Sequence, residues 1–213
     1  MQKENIALYR KYRPETWSEV IGQDHIVKVI SGGLKAGKVA HAYLLCGPRG
    51  TGKTTIARII ARELGTSAND INEMDAASNR GIDDIRNINE NVRTLPFDSK
   101  YKIYILDEVH MFTKDAWNAL LKTIEEPPEH VIFILATTEL EKVPETIISR
   151  CQSFIFKKPN DAILSEHIKI LQRKKVINSK RVGLSLLHFL LMEHFAMHSA
   201  LCRKFSLFPK IKS

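Results

Sequence analysis

The sequence predicts an α/β fold in which a parallel β-sheet is covered by helices on both faces. Three short segments are almost wholly apolar, namely HAYLLCG (41–47), KIYILD (102–107) and VIFILATT (131–138). Such continuous apolar runs are typical of strands that are buried on both faces. Segments with helical periodicity alternate with them, which indicates a parallel sheet joined by helical crossovers.

Periodicity and capping signals place the helices. Apolar residues recur at helical spacing over four segments, 24–34, 53–64, 81–92 and 113–124. Asp24 is expected to cap the first helix, Thr113 opens the fourth, and Pro127 and Pro128 stop it. A further short strand is predicted at 71–75.

The charge of the chain is unevenly distributed. Of the 213 residues, 44% are hydrophobic and 26% are charged, as in an ordinary soluble globular protein. The net charge of +8 is typical of nucleic-acid binders. However, residues 1–160 hold 22 basic and 21 acidic side chains, whereas residues 161–213 hold 10 and 3. The basic excess therefore belongs to the C-terminal segment and not to the body of the chain.

Cysteine usage and hydropathy predict a cytoplasmic protein that does not associate with a membrane. Cys46, Cys151 and Cys202 are odd in number and lack short spacing, so neither a disulfide framework nor a zinc knuckle is suggested. The first residues contain no apolar signal-peptide region. The longest apolar run, 184–192, is about half of the ~20 residues that span a bilayer.

A glycine-rich segment follows the first predicted strand. Residues 47–54, GPRGTGKT, match G-x-x-x-x-G-K-[ST] between a strand and a helix, which predicts a P-loop. Inward-turned backbone N–H groups and the helix N-terminus attract phosphate, Lys53 would reach the β- and γ-phosphates, and Thr54 would bind Mg²⁺. A glycine-rich turn without a ligand is the alternative. The predicted ATP-binding residues are Gly47, Pro48, Arg49, Gly50, Thr51, Gly52, Lys53, Thr54 and Thr55.

Acidic and hydroxyl side chains follow two further predicted strands. Asp107, at the end of one strand, is expected to hold Mg²⁺, and Glu108 to activate the attacking water. The alternative is a solvated acidic turn. Thr137 and Thr138 end the other strand and are candidates to hydrogen-bond the γ-phosphate or the water, although threonines are common at strand ends.

Several motifs together resemble one family. GPRGTGKTT, ILDEVHM, NALLKTIEEPPEH, LATTELEKVPETIISRC and the opening YRKYRPETWSEVIGQDH are similar to the replicative clamp-loader ATPases, the gamma/tau subunits of bacterial DNA polymerase III. The similarity runs from about Leu8 to Phe156. It implies an AAA+ ATPase fold, ATP and Mg²⁺ as ligands, and partners in the other clamp-loader subunits, the sliding clamp and primer-template DNA.

The resemblance also implies roles for individual residues. The segments that would flank the adenine include Tyr12, Pro14, Ile21 and Gly22. Thr138 falls at the sensor 1 position of the family. Arg150, in an SRC motif, would enter the ATP site of a neighbouring subunit, whereas a surface salt bridge is the alternative without the resemblance. The helix after Ser78 to Gly81 would face the DNA backbone, and a plain capping turn explains the same residues equally well.

The sequence departs from the family in two places. Bacterial gamma/tau subunits usually carry a four-cysteine zinc module soon after the P-loop helix. This sequence has no cysteine at that place, so we predict no structural zinc. From about Leu171 nothing resembles the helical lid, yet codons for Leu191 to Phe205, read one base earlier, can encode ADGAFRDALSALQKV, which is similar to a lid motif. We therefore interpret 1–159 as the ATPase domain, 160–174 as the start of an incomplete lid, and 175–213 as an aberrant, frameshifted tail.

The predicted function is an ATP-hydrolysing clamp-loader subunit that acts in DNA replication, in a hetero-oligomer if the collar domain of the family is present. Two alternatives stay open. One is an AAA+ DNA translocase of the branch-migration type, which the EEPPEH and SRC segments disfavour. The other is an inactive structural clamp-loader subunit, against which Lys53, Asp107 and Glu108 argue. A divergent lid with a basic apolar helix is the alternative to a shifted frame.

Overall fold

The computed structural model describes residues 13–160, of which residues 14–158 form one compact unit. Its helices are α1 (Asp24–Lys35), α2 (Lys53–Glu63), α3 (Ile82–Asn91), α4 (Lys114–Glu125) and the short α5 (Glu145–Ile148). Its strands are β1 (Ala42–Cys46), β2 (Ile71–Asp75), β3 (Lys102–Asp107), β4 (Val131–Thr137) and β5 (Gln152–Ile155). The predicted lid from residue 161 onward and the predicted tail lie outside the described residues, and the domain boundaries stay predictions.

The strands form one parallel sheet in the order β2-β3-β4-β1-β5. Cys46 is paired with Thr137, and Asp75 is paired with Asp107. The carboxyl ends of β1, β3 and β4 therefore meet at the same edge. The sequence did not predict β5, because this strand has only four residues and three of them are exposed.

Helices cover both faces of the sheet, as predicted. Alternate residues of β3 face opposite sides, with Tyr104 and Leu106 in one apolar cluster and Ile103 and Ile105 in the other. The first cluster also contains buried residues of α3, α4 and α5, and the second contains buried residues of α1 and α2. Burial of strand side chains on both faces explains why these strands are continuous apolar runs in the sequence.

The helix ends confirm one predicted cap and correct another. Thr113 caps α4, since its hydroxyl accepts a hydrogen bond of 3.2 Å from the N–H of Ala116. Asp24 does not cap α1, because it is already the first helical residue and Gln23 holds the cap position. Gln23 is fully buried, and its amide instead donates to the carbonyl oxygens of Thr51 and Lys157 at 3.3 and 2.6 Å.

Candidate nucleotide-binding site

The P-loop begins at a position where only glycine fits. The N–H of Gly47 donates to the carbonyl of Thr137 at 3.1 Å, which ties the start of the loop to the end of β4. A Cβ atom at Gly47 would lie 2.6 Å from the carbonyl oxygen and 2.7 Å from the Cβ of Phe156. Both the main chain and the Cβ of Phe156 therefore exclude any side chain at this point.

The P-loop ends at the N-terminus of α2. Gly52 is the cap residue and has a φ of 96°, a conformation that other residues rarely adopt. The first turn of α2 carries no acidic side chain, so its N–H groups and the positive end of the helix dipole suit an anion. The local geometry thus fits the phosphate binding that the sequence predicts.

Lys53 is buried and organises the loop. The residue is only 6% exposed, and its ammonium group donates to the carbonyl oxygens of Gly47 and Pro48 at 2.7 and 3.0 Å. The hydroxyl of Thr51 donates to the same carbonyl of Pro48 at 2.8 Å. A buried ammonium needs an anionic or carbonyl partner, and the P-loop places this one beside the segment that would hold the phosphates.

Thr54 and Asp107 come together as predicted for a metal site. The hydroxyl of Thr54 donates to Oδ2 of Asp107 at 2.6 Å, and Oδ1 of Asp107 accepts from the N–H of Glu108 at 2.9 Å. Both side chains offer oxygen atoms, which are the ligands that Mg²⁺ prefers. The donor set therefore fits a magnesium ion held between α2 and the end of β3.

Glu108 has an unusual backbone. Its φ and ψ are 50° and 42°, and it is the one non-glycine residue with a positive φ among residues 13–160. Its carboxylate accepts from the hydroxyl of Thr138 at 3.3 Å and lies 3.4 Å from Nε of Arg49 in the P-loop. Left-handed backbone in a residue other than glycine is sparsely populated and clusters at functional sites.

The structure distinguishes the two threonines at the end of β4. Thr138 faces Glu108, which is consistent with the predicted sensor role. The hydroxyl of Thr137 is fully buried, accepts from the N–H of Glu139 at 3.0 Å, and lies 3.2 Å from Nδ1 of His110. Thr137 therefore holds the turn after β4 and is not a candidate for contact with the phosphate.

Two residues beside this site, His110 and Glu139, have no role assigned from the sequence motifs. His110 has a side chain that is 4% exposed and lies within 3.4 Å of both Glu108 and Glu139. Hydrogen bonding to Lys142 holds the pKa of Glu139 below its usual value, against an opposing effect of desolvation. The one available signal was the histidine two residues after the predicted base, at the end of an apolar strand.

The predicted adenine segment is only partly described, because Tyr12 lies outside residues 13–160. Pro14, Ile21 and Gly22 are half-buried. The buried amide of Gln23 contacts the P-loop at Thr51, so residues 21–23 lie beside the loop. The adenine contacts of these residues stay predictions.

Arg150 lies in a different environment. Its guanidinium forms an ion pair of 2.7 Å with Glu125 at the end of α4 and donates to the carbonyl of Thr146 at 2.6 Å. Within the described part of the chain, its hydrogen bonds and ion pairs involve none of the P-loop residues, Asp107 or Glu108. Arg150 is therefore not part of the nucleotide site of its own chain. Its position is compatible with action on a neighbouring subunit.

The segment before α3 is a capping turn. The N–H of Gly81 donates to the carboxylate of Asp84 at 3.2 Å, and Asp83 adds a second acidic side chain to the first turn. These carboxylates already complement the N-terminus of α3 and repel phosphate. Of the two explanations of residues 78–81, the structure favours the cap over DNA contact.

Burial makes the two described cysteines poor nucleophiles. Desolvation raises the pKa of Cys46, against the opposing charge of Lys53, and raises the pKa of Cys151 to about 12. Residues 13–160 contain no group of three or more His, Cys, Asp and Glu side chains that is able to hold a metal. No helix in the same range is long and apolar enough to cross a membrane.

Comparison with protein families and solved structures identifies similarity to DNA polymerase III subunits and to a Holliday junction branch migration motor. Residues 66–160 match the family model described as DNA polymerase III, delta subunit. In structure, the chain resembles the RuvB Holliday junction branch migration motor of Thermotoga maritima, with a TM-score of 0.61, 30% identity, and coverage of 74% of this chain and 53% of that one. These likenesses show the fold of a P-loop NTPase of the AAA+ type.

Relatives of higher sequence identity identify the family. The chain is 47% identical to DNA polymerase III subunit tau of Bacillus subtilis over 192 residues, which covers 80% of this chain and 34% of that protein. It is 44% identical to DNA polymerase III subunit gamma of Buchnera aphidicola, which covers 84% of this chain and 54% of that protein. The chain therefore belongs to the DNA polymerase III gamma/tau family over the residues that it shares with these relatives.

Proposed function

We propose that the chain binds and hydrolyses ATP as a subunit of the replicative clamp loader, which loads the sliding clamp onto primed DNA in the cytoplasm. The observation that carries the proposal is the meeting of Thr54 and Asp107 at 2.6 Å, with Glu108 as the next residue. An anion-binding loop, a metal-binding pair and a candidate base thus converge at one edge of the sheet. The relatives in DNA polymerase III supply the replication context.

In this proposal, different residues bind the phosphates, hold Mg²⁺, accept the proton and orient the water. The P-loop N–H groups and Lys53 hold the phosphates, and Mg²⁺ between Thr54 and Asp107 would neutralise their charge when bound. Glu108 accepts a proton from the attacking water while the water oxygen bonds to the γ-phosphorus and the bond to the β–γ bridging oxygen breaks. Thr138, which contacts the Glu108 carboxylate, orients this carboxylate and the water.

Arg150 completes the site of a neighbouring subunit in this proposal. Its guanidinium is about a third exposed at the end of α5, and it lies apart from the local P-loop constellation. An arginine delivered in trans stabilises charge that develops on the γ-phosphate, with effects of ~10³ to 10⁵ on rate where arginine fingers have been measured. Hydrolysis would then depend on assembly with other clamp-loader subunits.

The likeness to RuvB gives one competing function, an ATP-driven DNA translocase. ATP hydrolysis measured with a sliding clamp and primed DNA, and separately with duplex or four-way junction DNA, distinguishes the two. A clamp loader responds most to the clamp and primed DNA together, whereas a translocase responds to duplex or junction DNA without a clamp. A structural subunit without activity would hydrolyse ATP in neither assay, and a separate ATP-binding measurement would detect no binding.

A matched pair of lysine variants tests the site itself. Lys53→Ala removes the buried ammonium of the P-loop, and Lys28→Ala removes an exposed lysine of α1 as a control. We expect Lys53→Ala to lose ATP binding and Lys28→Ala to bind ATP as the unmodified chain does. ATP binding by Lys53→Ala at unmodified strength would contradict the assignment of the P-loop.

A further inference from the structure

We propose that His110 is a positioning residue that holds the carboxylate of Glu108 in place through its Nδ1, which lies between that carboxylate and the hydroxyl of Thr137. This inference rests on the proposed hydrolysis of ATP and adds a residue that the motifs do not assign. His110 lies in the short 3-10 turn Val109–Met111 that follows β3. Its side chain is 4% exposed, so the imidazole is held by protein atoms rather than by solvent.

The imidazole has polar neighbours on both sides. Nδ1 lies 3.4 Å from Oε2 of Glu108 and 3.2 Å from the hydroxyl of Thr137. Nε2 lies 3.2 Å from Oε1 of Glu139. Polar contacts at both nitrogens define the orientation of the His110 ring. A ring with a defined orientation is able to orient the Glu108 carboxylate in turn.

The other contacts of Glu108 hold it less firmly. Arg49, its partner in the P-loop, has a side chain that is 74% exposed, and exposed ion pairs contribute little and are screened by salt. The hydroxyl of Thr138 is 3.3 Å away, about as far as Nδ1 of His110, but Thr138 is only half-buried. His110 is therefore the most deeply buried of these three polar neighbours of the carboxylate.

Glu139 and Thr137 hold His110 from the end of β4. The N–H of Glu139 donates to the hydroxyl of Thr137, and the Glu139 carboxylate also pairs with Lys142 at 2.9 Å. His110 thus links the end of β3, which carries Glu108, to the turn that carries Thr138. A base and a sensor that share one buried connection keep a fixed separation, and positioning errors of about 1 Å cost up to ~10²-fold in rate.

Two amide substitutions separate the two nitrogens of the ring. In His110→Asn, the side-chain amide retains a donor near the position of Nδ1, whereas in His110→Gln the donor lies near the position of Nε2. Both variants remove the aromatic ring and lose similar packing, so each serves as the stability control for the other. His110→Ala removes both ring nitrogens.

The test uses the full chain and measures three quantities for each variant. They are the Mg-ATP affinity, the melting temperature, and the rate of hydrolysis at saturating ATP after assembly with the other clamp-loader subunits. We expect His110→Ala to hydrolyse at least about tenfold more slowly with an ATP affinity within about twofold, since general-base catalysis contributes ~10² to 10⁴. His110→Asn should recover more of the rate than His110→Gln at a similar melting temperature.

Several outcomes would overturn the inference. One is an unchanged rate in His110→Ala. Another is a rate in His110→Gln that equals or exceeds the rate in His110→Asn. The third is a loss of ATP affinity in His110→Ala that is as large as its loss of rate. Glu108→Gln, measured in parallel, distinguishes failure of the role of His110 from failure of the proposed hydrolysis at Glu108. If Glu108→Gln is inactive while His110→Ala is not, only the role of His110 fails; if Glu108→Gln is fully active, the proposed hydrolysis at Glu108 fails as well.

A second variant keeps the test valid if substitution of the buried ring prevents folding. Glu139 is 38% exposed, so Glu139→Gln is expected to fold while weakening its contact with Nε2 of His110. We expect an intermediate loss of rate at saturating ATP with an unchanged affinity. A rate equal to that of the unmodified chain would contradict the connection between Glu139, His110 and Glu108.

Discussion

The hydroxyl of Thr54 donates a hydrogen bond of 2.6 Å to Oδ2 of Asp107, which joins the first turn of α2 to the carboxyl end of β3. The two residues are 53 positions apart in the sequence, and they meet because β1 and β3 run parallel on either side of β4. In a parallel sheet, loops at the carboxyl ends of strands share one edge. The fold thus brings the residues of the proposed site together.

Substitution at this contact is expected to change the dependence on Mg²⁺. Thr54→Ser keeps the hydroxyl, whereas Thr54→Val replaces it with a methyl group of similar size. We expect Thr54→Val to need a higher Mg²⁺ concentration for half-maximal hydrolysis, because one oxygen ligand is lost, and Thr54→Ser to stay within about threefold of the unmodified chain. A titration of hydrolysis against Mg²⁺ measures this, and equal midpoints for the two variants would contradict the metal role.

Gly47→Ala is expected to destabilise the fold and to prevent nucleotide binding. The added Cβ would lie 2.6 Å from the main-chain oxygen of Phe156, so the P-loop and the chain after β5 have to separate. Substitutions that add atoms at a closely packed position lower the free energy of unfolding by about 1 to 3 kcal/mol. Urea denaturation with an ATP-binding assay measures both effects.

Gly32 provides the matched control for Gly47. It lies in α1, and a Cβ atom there would meet nothing within 4 Å. Gly32→Ala is expected to leave ATP binding unchanged and to stabilise the protein by about 0.5 to 1 kcal/mol, because alanine loses less conformational freedom than glycine in a helix. Equal stability of the two variants would contradict the close approach of Phe156 to Gly47.

Asp70 is expected to make the stability of the domain sensitive to acid. Desolvation raises the pKa of its carboxyl, but the N–H groups of Phe97 and Asp98 and the hydroxyls of Ser99 and Ser67 outweigh it and lower the pKa to about 2 from 3.8. A lowered pKa in the folded state stabilises the fold above the unfolded value. This contribution should therefore be complete above about pH 4 and be lost as the pH falls toward 2.

Urea midpoints at pH 6, 4 and 3 measure the contribution of Asp70. Asp70→Asn cannot ionise, so the difference between it and the unmodified chain should shrink as the pH falls from 4 to 3. Glu141→Gln, an exposed substitution, serves as the control for the loss of a negative charge. A difference that grows with acidification would show that Asp70 does not stabilise the fold in its charged form.

Complementation between two variants tests the role of Arg150 in trans. Arg150→Ala keeps its own Glu108, and Glu108→Gln keeps its own arginine, so each supplies what the other lacks. If a neighbouring subunit provides the arginine, a mixture assembled with the other clamp-loader subunits should hydrolyse ATP faster than the sum of the separate variants. A mixture no faster than that sum would place the function of Arg150 elsewhere.

Much of the fold and of the candidate site was predictable because apolar strands and the spacing of the P-loop are local signals. KIYILD became β3 with the predicted bounds, and Thr113 caps α4 as expected. Asp24 was wrongly expected to cap α1, because the cap position is set by where the chain enters the helix and Gln23 is held there by Thr51 and Lys157.

The remaining features depend on tertiary contacts that no local pattern reveals. The different surroundings of Thr137 and Thr138 follow from the alternation of side chains at the end of β4. The role inferred for His110 follows from its proximity to Glu139, 29 residues further along the chain in the sequence. The left-handed backbone of Glu108 likewise has no signature in residue type.

In the proposed mechanism, Glu108 is the base for hydrolysis at an intact ATP site. The most direct measurement compares Mg-ATP affinity and the single-turnover hydrolysis rate of Glu108→Gln with those of the unmodified chain in the presence of clamp and primed DNA. We expect an affinity within about twofold of that of the unmodified chain and a rate at least ~10²-fold lower. Hydrolysis by Glu108→Gln at the unmodified rate would contradict it.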